Sequence, residues 1–113
     1  MFTEKEFVQT VVNLVNENPD FIYKQTEGRC TYLPLGKQPG CLFGQALTKL
    51  GFDRVKLQEF DETENATTIG EILDIFNFSE GIIRWSSEMQ SLQDTGDAWG
   101  KCLKQTGMPN ESI

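Results

Sequence analysis

Residues 82–103 read IIRWSSEMQSLQDTGDAWGKCL, and their spacing decides the fold class. Ile82, Trp85, Met89, Leu92, Gly96, Trp99 and Leu103 follow one another at steps of 3 or 4 residues. That is the apolar seam of a helix packed on other helices, with glycine in one slot. A strand would repeat its apolar positions every second residue instead. Two readings fit. One is a single helix over 80–105. The other stops at Thr95 and restarts at Asp97, with Thr95 or Gly96 as the cap. The single helix is preferred because the register survives the glycine. Gly107 and Pro109 end it, and residues 108–113 form a flexible tail.

Outward from this stretch, Thr68 and Glu71 have the spacing of a capping box. Ile69, Ile72, Leu73 and Phe76 then mark a short helix. Residues 52–65 are mostly polar, with four carboxylates between Glu59 and Glu64, and read as an exposed loop. Leu42 or Phe43, with Ala46, Leu47 and Leu50, makes one face of a helix that Gly51 caps in the left-handed conformation. Gly44 inside that helix costs about 1 kcal/mol relative to alanine. Such a glycine implies a close neighbour, usually another helix.

Thr3 and Glu6 form a further capping-box pattern, ahead of a broad apolar face from Phe7 to Val15. Asn18-Pro19 ends that helix. Phe21 to Tyr23 and Arg29 to Leu33 are β-prone and flank a Glu27-Gly28 turn, which predicts a hairpin. The expected fold is therefore mainly α: a compact four-helix domain with a small two-stranded β-hairpin between the first two helices. Residues 1–107 are expected to form one domain. The expected core is Phe7, Val11, Leu14, Ile22, Leu42, Ala46, Leu47, Leu50, Ile72, Phe76, Ile82, Met89, Leu92 and Trp99.

The chain of 113 residues contains no histidine. Serine and cysteine nucleophiles usually need an imidazole base, and zinc sites usually take an imidazole or four thiolates. The three cysteines, Cys30, Cys41 and Cys102, complete neither set. The expectation is a protein that is not an enzyme, with no metal and no cofactor. Its net charge of −7 argues against binding a nucleic-acid backbone or an anionic membrane. No apolar run approaches the length of a membrane span, and no secretory leader opens the chain. A reduced, cytoplasmic setting with three free thiols is expected.

Three places carry candidate site residues. Gly40, Cys41, Gly44 and Gln45 surround a helix start, where free amides can hold an anion or activate a thiol, although no Walker pattern follows. Gln90, Gln93, Asp94 and Asp97 form a polar column near Trp99. Its i,i+4 pairs can hydrogen-bond to each other or read the edge of a base or peptide. Glu59, Phe60, Asp61, Glu62 and Glu64 set an aromatic among carboxylates, a pattern suited to a basic protein surface.

Two stretches carry a resemblance. One is Cys30-Thr31-Tyr32 with residues 40–51, GCLFGQALTKLG. The other is residues 90–99, QSLQDTGDAW. In their Cys-x-Tyr, Gly-Cys-x-x-Gly-Gln-Ala-Leu and Gln-x-x-Gln-Asp-x-Gly-x-x-Trp motifs they resemble a group of small proteins, with no assigned activity, from actinobacterial phages and prophages. The resemblance covers about a third of the chain. It implies an accessory protein made in the host cytoplasm during infection, and it supplies no catalytic residues. It also suggests that Gly44 and Gly96 let two helices cross closely, with the polar residues satisfying one another there. The functional expectation is an acidic, non-enzymatic protein that binds and modulates a host protein, such as a defence or nucleic-acid enzyme. The alternative is a small-molecule module holding a nucleotide or other anion at the Gly40–Gln45 helix start and the Gln90–Asp97 column.

Overall fold

The computed structural model describes residues 2–24, 31–34, 39–62 and 67–109. Among them are six helices: α1 (Glu4–Glu17), α2 (Leu42–Lys49), α3 (Arg54–Glu62), α4 (Ile69–Ile75), α5 (Glu80–Asp94) and α6 (Trp99–Thr106). α1 packs on α2 and α6, and α5 packs on α2, α4 and α6. One apolar cluster fills the space between them, with Phe7, Phe43, Leu47, Ile72, Ile82, Met89 and Trp99 fully buried.

Both predicted capping boxes form. The Glu6 amide donates to Thr3 Oγ1 (3.1 Å), and the Thr3 amide donates back to Glu6 Oε1 (2.8 Å). Thr68 and Glu71 repeat the exchange at α4. α2, α4 and α5 share one C-terminal closure. In α2 the Gly51 amide donates to Thr48 O and the Phe52 amide to Leu47 O. In α4 the donors are Asn77 and Phe78, and in α5 they are Gly96 and Asp97. This paired pattern is a Schellman motif, which needs a left-handed residue at its centre. Gly51, Asn77 and Gly96 supply it, with φ of +82°, +58° and +100°.

That closure overturns the single helix expected over 80–105. The chain leaves the α conformation at Thr95 and resumes it at Trp99. The apolar spacing survives because Trp99 still returns to the core after the Gly96 turn. The break is real but hydrophobic periodicity cannot register it.

The expected four helices are likewise corrected to six, because residues 54–62 form a helix where a loop was expected. Leu57 is the one fully buried apolar residue there, with Phe60 half-buried beside it. Two apolar positions among carboxylates give too narrow a stripe for a periodicity argument. Asp53 marks the start: its side chain accepts from the Val55 amide (2.9 Å).

No strand occurs among the described residues, so the expected β-hairpin is also corrected. Its predicted turn, and Cys30, lie outside them. The backbone groups of its two arms go elsewhere. Phe21 O accepts from the Trp99 amide and Thr31 O from the Cys41 amide. The Thr31 amide donates to the Tyr23 hydroxyl (2.8 Å). The Tyr32 and Leu33 amides donate to the two oxygens of Asp61 (2.7 and 3.0 Å). A ladder has no role once its donors and acceptors are engaged by helix ends and side chains.

The expected core holds with one reversal. Ile22 is 50 % exposed, while its neighbour Tyr23 is buried. Leu50, Phe76 and Leu92 pack at its margin. Of the expected tail, residues 110–113 lie outside the described residues.

The close approach at Gly44 is made by the Tyr32 carbonyl, not by a helix. A Cβ at Gly44 would lie 1.9 Å from that oxygen, and one at Gly40 would lie 2.1 Å from it. Gly96 meets nothing within 4 Å, so it marks a turn and not a helix crossing. We expect Gly44→Ala to destabilise the protein by about 3 kcal/mol, because a backbone atom must move. Gly51→Ala meets open space and carries only left-handed strain of about 1 kcal/mol. Urea unfolding midpoints of the two variants check this ranking.

Candidate functional site

α5 turns the two glutamines of the polar column inward, while Asp94 and Asp97, the latter beyond its end, are half-buried. Gln93 is 0 % exposed and Gln90 is buried. Gln93 Oε1 accepts from the Leu42 amide (2.8 Å) and from Trp99 Nε1 (3.1 Å). Its Nε2 donates to Asp94 Oδ1 (3.3 Å). Gln90 Oε1 accepts from the Ile69 amide (3.0 Å), and its Nε2 donates to the Tyr32 hydroxyl (3.3 Å). The Tyr32 hydroxyl in turn donates to Thr67 O.

Leu42 and Ile69 are the first residues of α2 and α4. The two glutamines therefore cap two helices from a third. An orphan amide at a helix start needs an acceptor, and Cys41, the residue before α2, offers no side-chain cap. Asp97 pairs instead with Lys101 (3.6 Å), one turn along. Trp99 is buried, its ring tilted at 57° against Phe21 with centroids 4.7 Å apart.

The helix start at Gly40–Gln45 is similarly occupied. Gln45 Nε2 donates to Gly40 O (2.8 Å), the Leu42 amide meets Gln93, and the Tyr32 carbonyl lies against both glycines. Cys41 is fully buried at this start. Cys102 is also buried, its thiol donating to Asp97 O (3.6 Å). Burial, then the nearby Asp97 carboxylate, pushes the Cys102 thiol up from 9.0 to about 11. Among the described residues no group of three Cys, Asp or Glu side chains can hold a metal ion.

The acidic stretch divides by role. Asp61 holds the Tyr32 and Leu33 amides and belongs to the fold. Glu59 pairs with Lys56 (3.3 Å) and Glu62 accepts from Gln58 (3.0 Å), all four side chains facing water. Glu64 lies outside the described residues. Phe60 turns toward α4, stacking on Phe52 at 6.2 Å.

Beside Phe60 the structure opens a groove of about 480 Å³ that sequence reasoning missed. Phe52, Phe60, Ile75 and Phe76 wall it, with Asp53 and Lys56 exposed at it. Ile75 is 65 % exposed. Its signal in the sequence was the spacing of Ile72, Ile75 and Phe76, too apolar for a short helix with one buried side. The groove lies in an uneven field. Residues 53–76 carry seven acidic and two basic side chains, five of the chain's seven net negative charges.

Comparisons with known proteins find no matching family model, no matching curated protein and no matching solved structure. No helix among the described residues is long and apolar enough to cross a membrane.

Three outcomes follow from this geometry. Gln93→Leu leaves the Leu42 amide and the Trp99 indole without an acceptor and should destabilise by about 3 kcal/mol. Gln105→Leu, on the exposed side of α6, should change stability by less than about 0.5 kcal/mol. Thermal and urea melts separate the two. Cys41 and Cys102 should resist iodoacetamide at neutral pH in the folded protein and react after denaturation, as peptide mass mapping would show. Folding raises the Cys102 pKa, so it favours the protonated thiol. Its contribution to stability is intact below pH 9.0 and is lost as pH rises toward about 11.

Proposed function

We propose that this protein is a non-enzymatic, acidic accessory protein of the phage type that binds and modulates a host protein in the host cytoplasm. One observation carries the reading. Five of the seven net negative charges fall in residues 53–76, a segment whose two helices, α3 and α4, carry a net charge of −3 and also leave an apolar groove open. Asp53, Asp61 and Glu71 have tasks in the fold, whereas Glu59, Glu62 and Asp74 have none beyond contacts at the surface. Glu59, Glu62, Glu71 and Asp74 are exposed, and like charges this close repel one another. Complementary fields steer a basic partner to such a face and set which partners are accepted. The resemblance to phage and prophage proteins supports a host setting.

The anion-binding alternative is less well supported. Gln90 and Gln93 spend their carboxamides on helix starts, and the Leu42 amide at the Gly40–Gln45 turn is already bonded. The absence of histidine, together with two buried cysteines, supports binding over catalysis.

The test is capture of partners from host lysate on the immobilised protein, at low and moderate salt. We expect a specific partner retained at low salt. We expect retention to fall at least about tenfold in a Glu59→Lys, Glu62→Lys, Asp74→Lys triple variant. A control with Glu17→Lys, Asp20→Lys and Glu88→Lys makes the same change in net charge elsewhere and should keep the partner. No specific partner for the wild-type protein, or equal losses in both variants, would count against the reading.

A further inference from the structure

We infer that the α3–α4 groove seats the apolar anchors of a cationic amphipathic helix on the partner; this rests on the basic-partner reading and names the chemistry that face selects. The groove wall is apolar and aromatic, and Ile75 stands at it largely uncovered. An exposed branched side chain beside half-buried phenylalanines has the make-up of a binding anchor site. The length of the face fixes the kind of segment. α3 has nine residues, so it runs for about 14 Å, enough to lie along two to three turns of a partner helix. A helix of that length offers anchors at i and at i+3 or i+4, both on one side.

Charge decides among occupants. An anionic amphiphile would enter a segment that already carries seven carboxylates against two cations. Lys56, the one cation among the described residues that line the groove, is paired with Glu59 and does little to offset them. A neutral apolar ligand gains nothing from the field. A helix with leucine or phenylalanine on one side and lysine or arginine on its flanks satisfies both features together. Its apolar residues meet Phe60, Ile75 and Phe76, and its cations meet Asp53 in the groove wall and the exposed carboxylates of α3 and α4.

The experiment uses the full chain and a fluorescently labelled lysine–leucine peptide of amphipathic helical design. The controls are a scrambled peptide of equal composition and decanoate. Binding is read by anisotropy and by isoleucine methyl resonances. We expect the amphipathic peptide to bind with a salt-dependent affinity, shift the Ile75 methyl signal, and exceed the scrambled peptide at least about tenfold. Ile75→Ser, at an exposed position where folding is not at stake, should weaken it by a similar factor; an unchanged melting temperature confirms the fold. Equal binding of the scrambled peptide, unchanged affinity in Ile75→Ser, or an Ile75 shift with decanoate alone would overturn the groove assignment. If the charge-reversed triple variant loses the peptide while Ile75→Ser keeps it, the groove assignment falls and the basic-partner reading stands. Absence of peptide binding also overturns the groove assignment, while lysate capture still decides the broader reading.

Discussion

A single buried carboxamide oxygen, Gln93 Oε1, accepts from the first amide of α2 and from the indole of Trp99. Three elements meet on that atom: α5 supplies it, α2 begins on it, and α6 begins with the residue whose ring it holds. Gln90, three residues earlier, does the same for α4 while touching Tyr32. Burying an amide side chain is unfavourable unless its partners are all in place. The arrangement is therefore all-or-none. Once α5 is docked with both glutamines inside, the starts of α2 and α4 are fixed in position and direction. The Tyr32 carbonyl then packs against Gly40 and Gly44, which have no side chain to exclude it.

The remaining helix ends obey the same economy. α6 has no side-chain cap, and its first two amides donate to Phe21 O (3.0 Å) and Pro19 O (2.7 Å). The segment after α1 is thus held by the start of α6, which explains why it stays extended without pairing as a strand. α2, α4 and α5 each close on a left-handed residue and turn sharply into the next element. Short helices of seven to nine residues are unstable alone, so capping by neighbours and burial must supply what propensity does not.

Much of this was legible in the sequence, and the illegible parts share a cause. The capping boxes at Thr3 and Thr68, the Gly51 closure and most of the core could be read because each is a local pattern. The close contact at Gly44 was legible as a fact about Gly44, but its partner, a loop carbonyl, was not. The break at Gly96 was hidden because Leu92 and Trp99 keep helical spacing across the turn. α3 was hidden because Leu57 and Phe60 alone mark its inner side. The polar column was visible as a column. That its two glutamines face inward depends on which amides lie opposite, Leu42 being 51 residues away from Gln93 in sequence. The groove is the clearest case of what sequence withholds, since its walls come from α4 and from residues 51–60, which only the fold brings together.

The fold has uses for some of its carboxylates and not for others, and this difference bears on function. Glu6 and Glu71 complete capping boxes, Asp53 starts α3, and Asp61 holds two loop amides. Glu62 and Asp74 serve no comparable end. Glu59 and Glu62 lie in the last turn of α3, where the helix dipole is unfavourable to negative charge. Ile75 adds an apolar side chain left in water. Each of these choices works against local stability, and together they occupy one pair of helices. Sequences tend to violate local rules where a site requires it. The glutamines show the opposite pattern, polar groups in the core with their bonds made, which is the signature of architecture. The exposed carboxylates of α3 and α4 and the uncovered groove are what remain once architecture is accounted for, and one stretch of chain, residues 53–76, holds both.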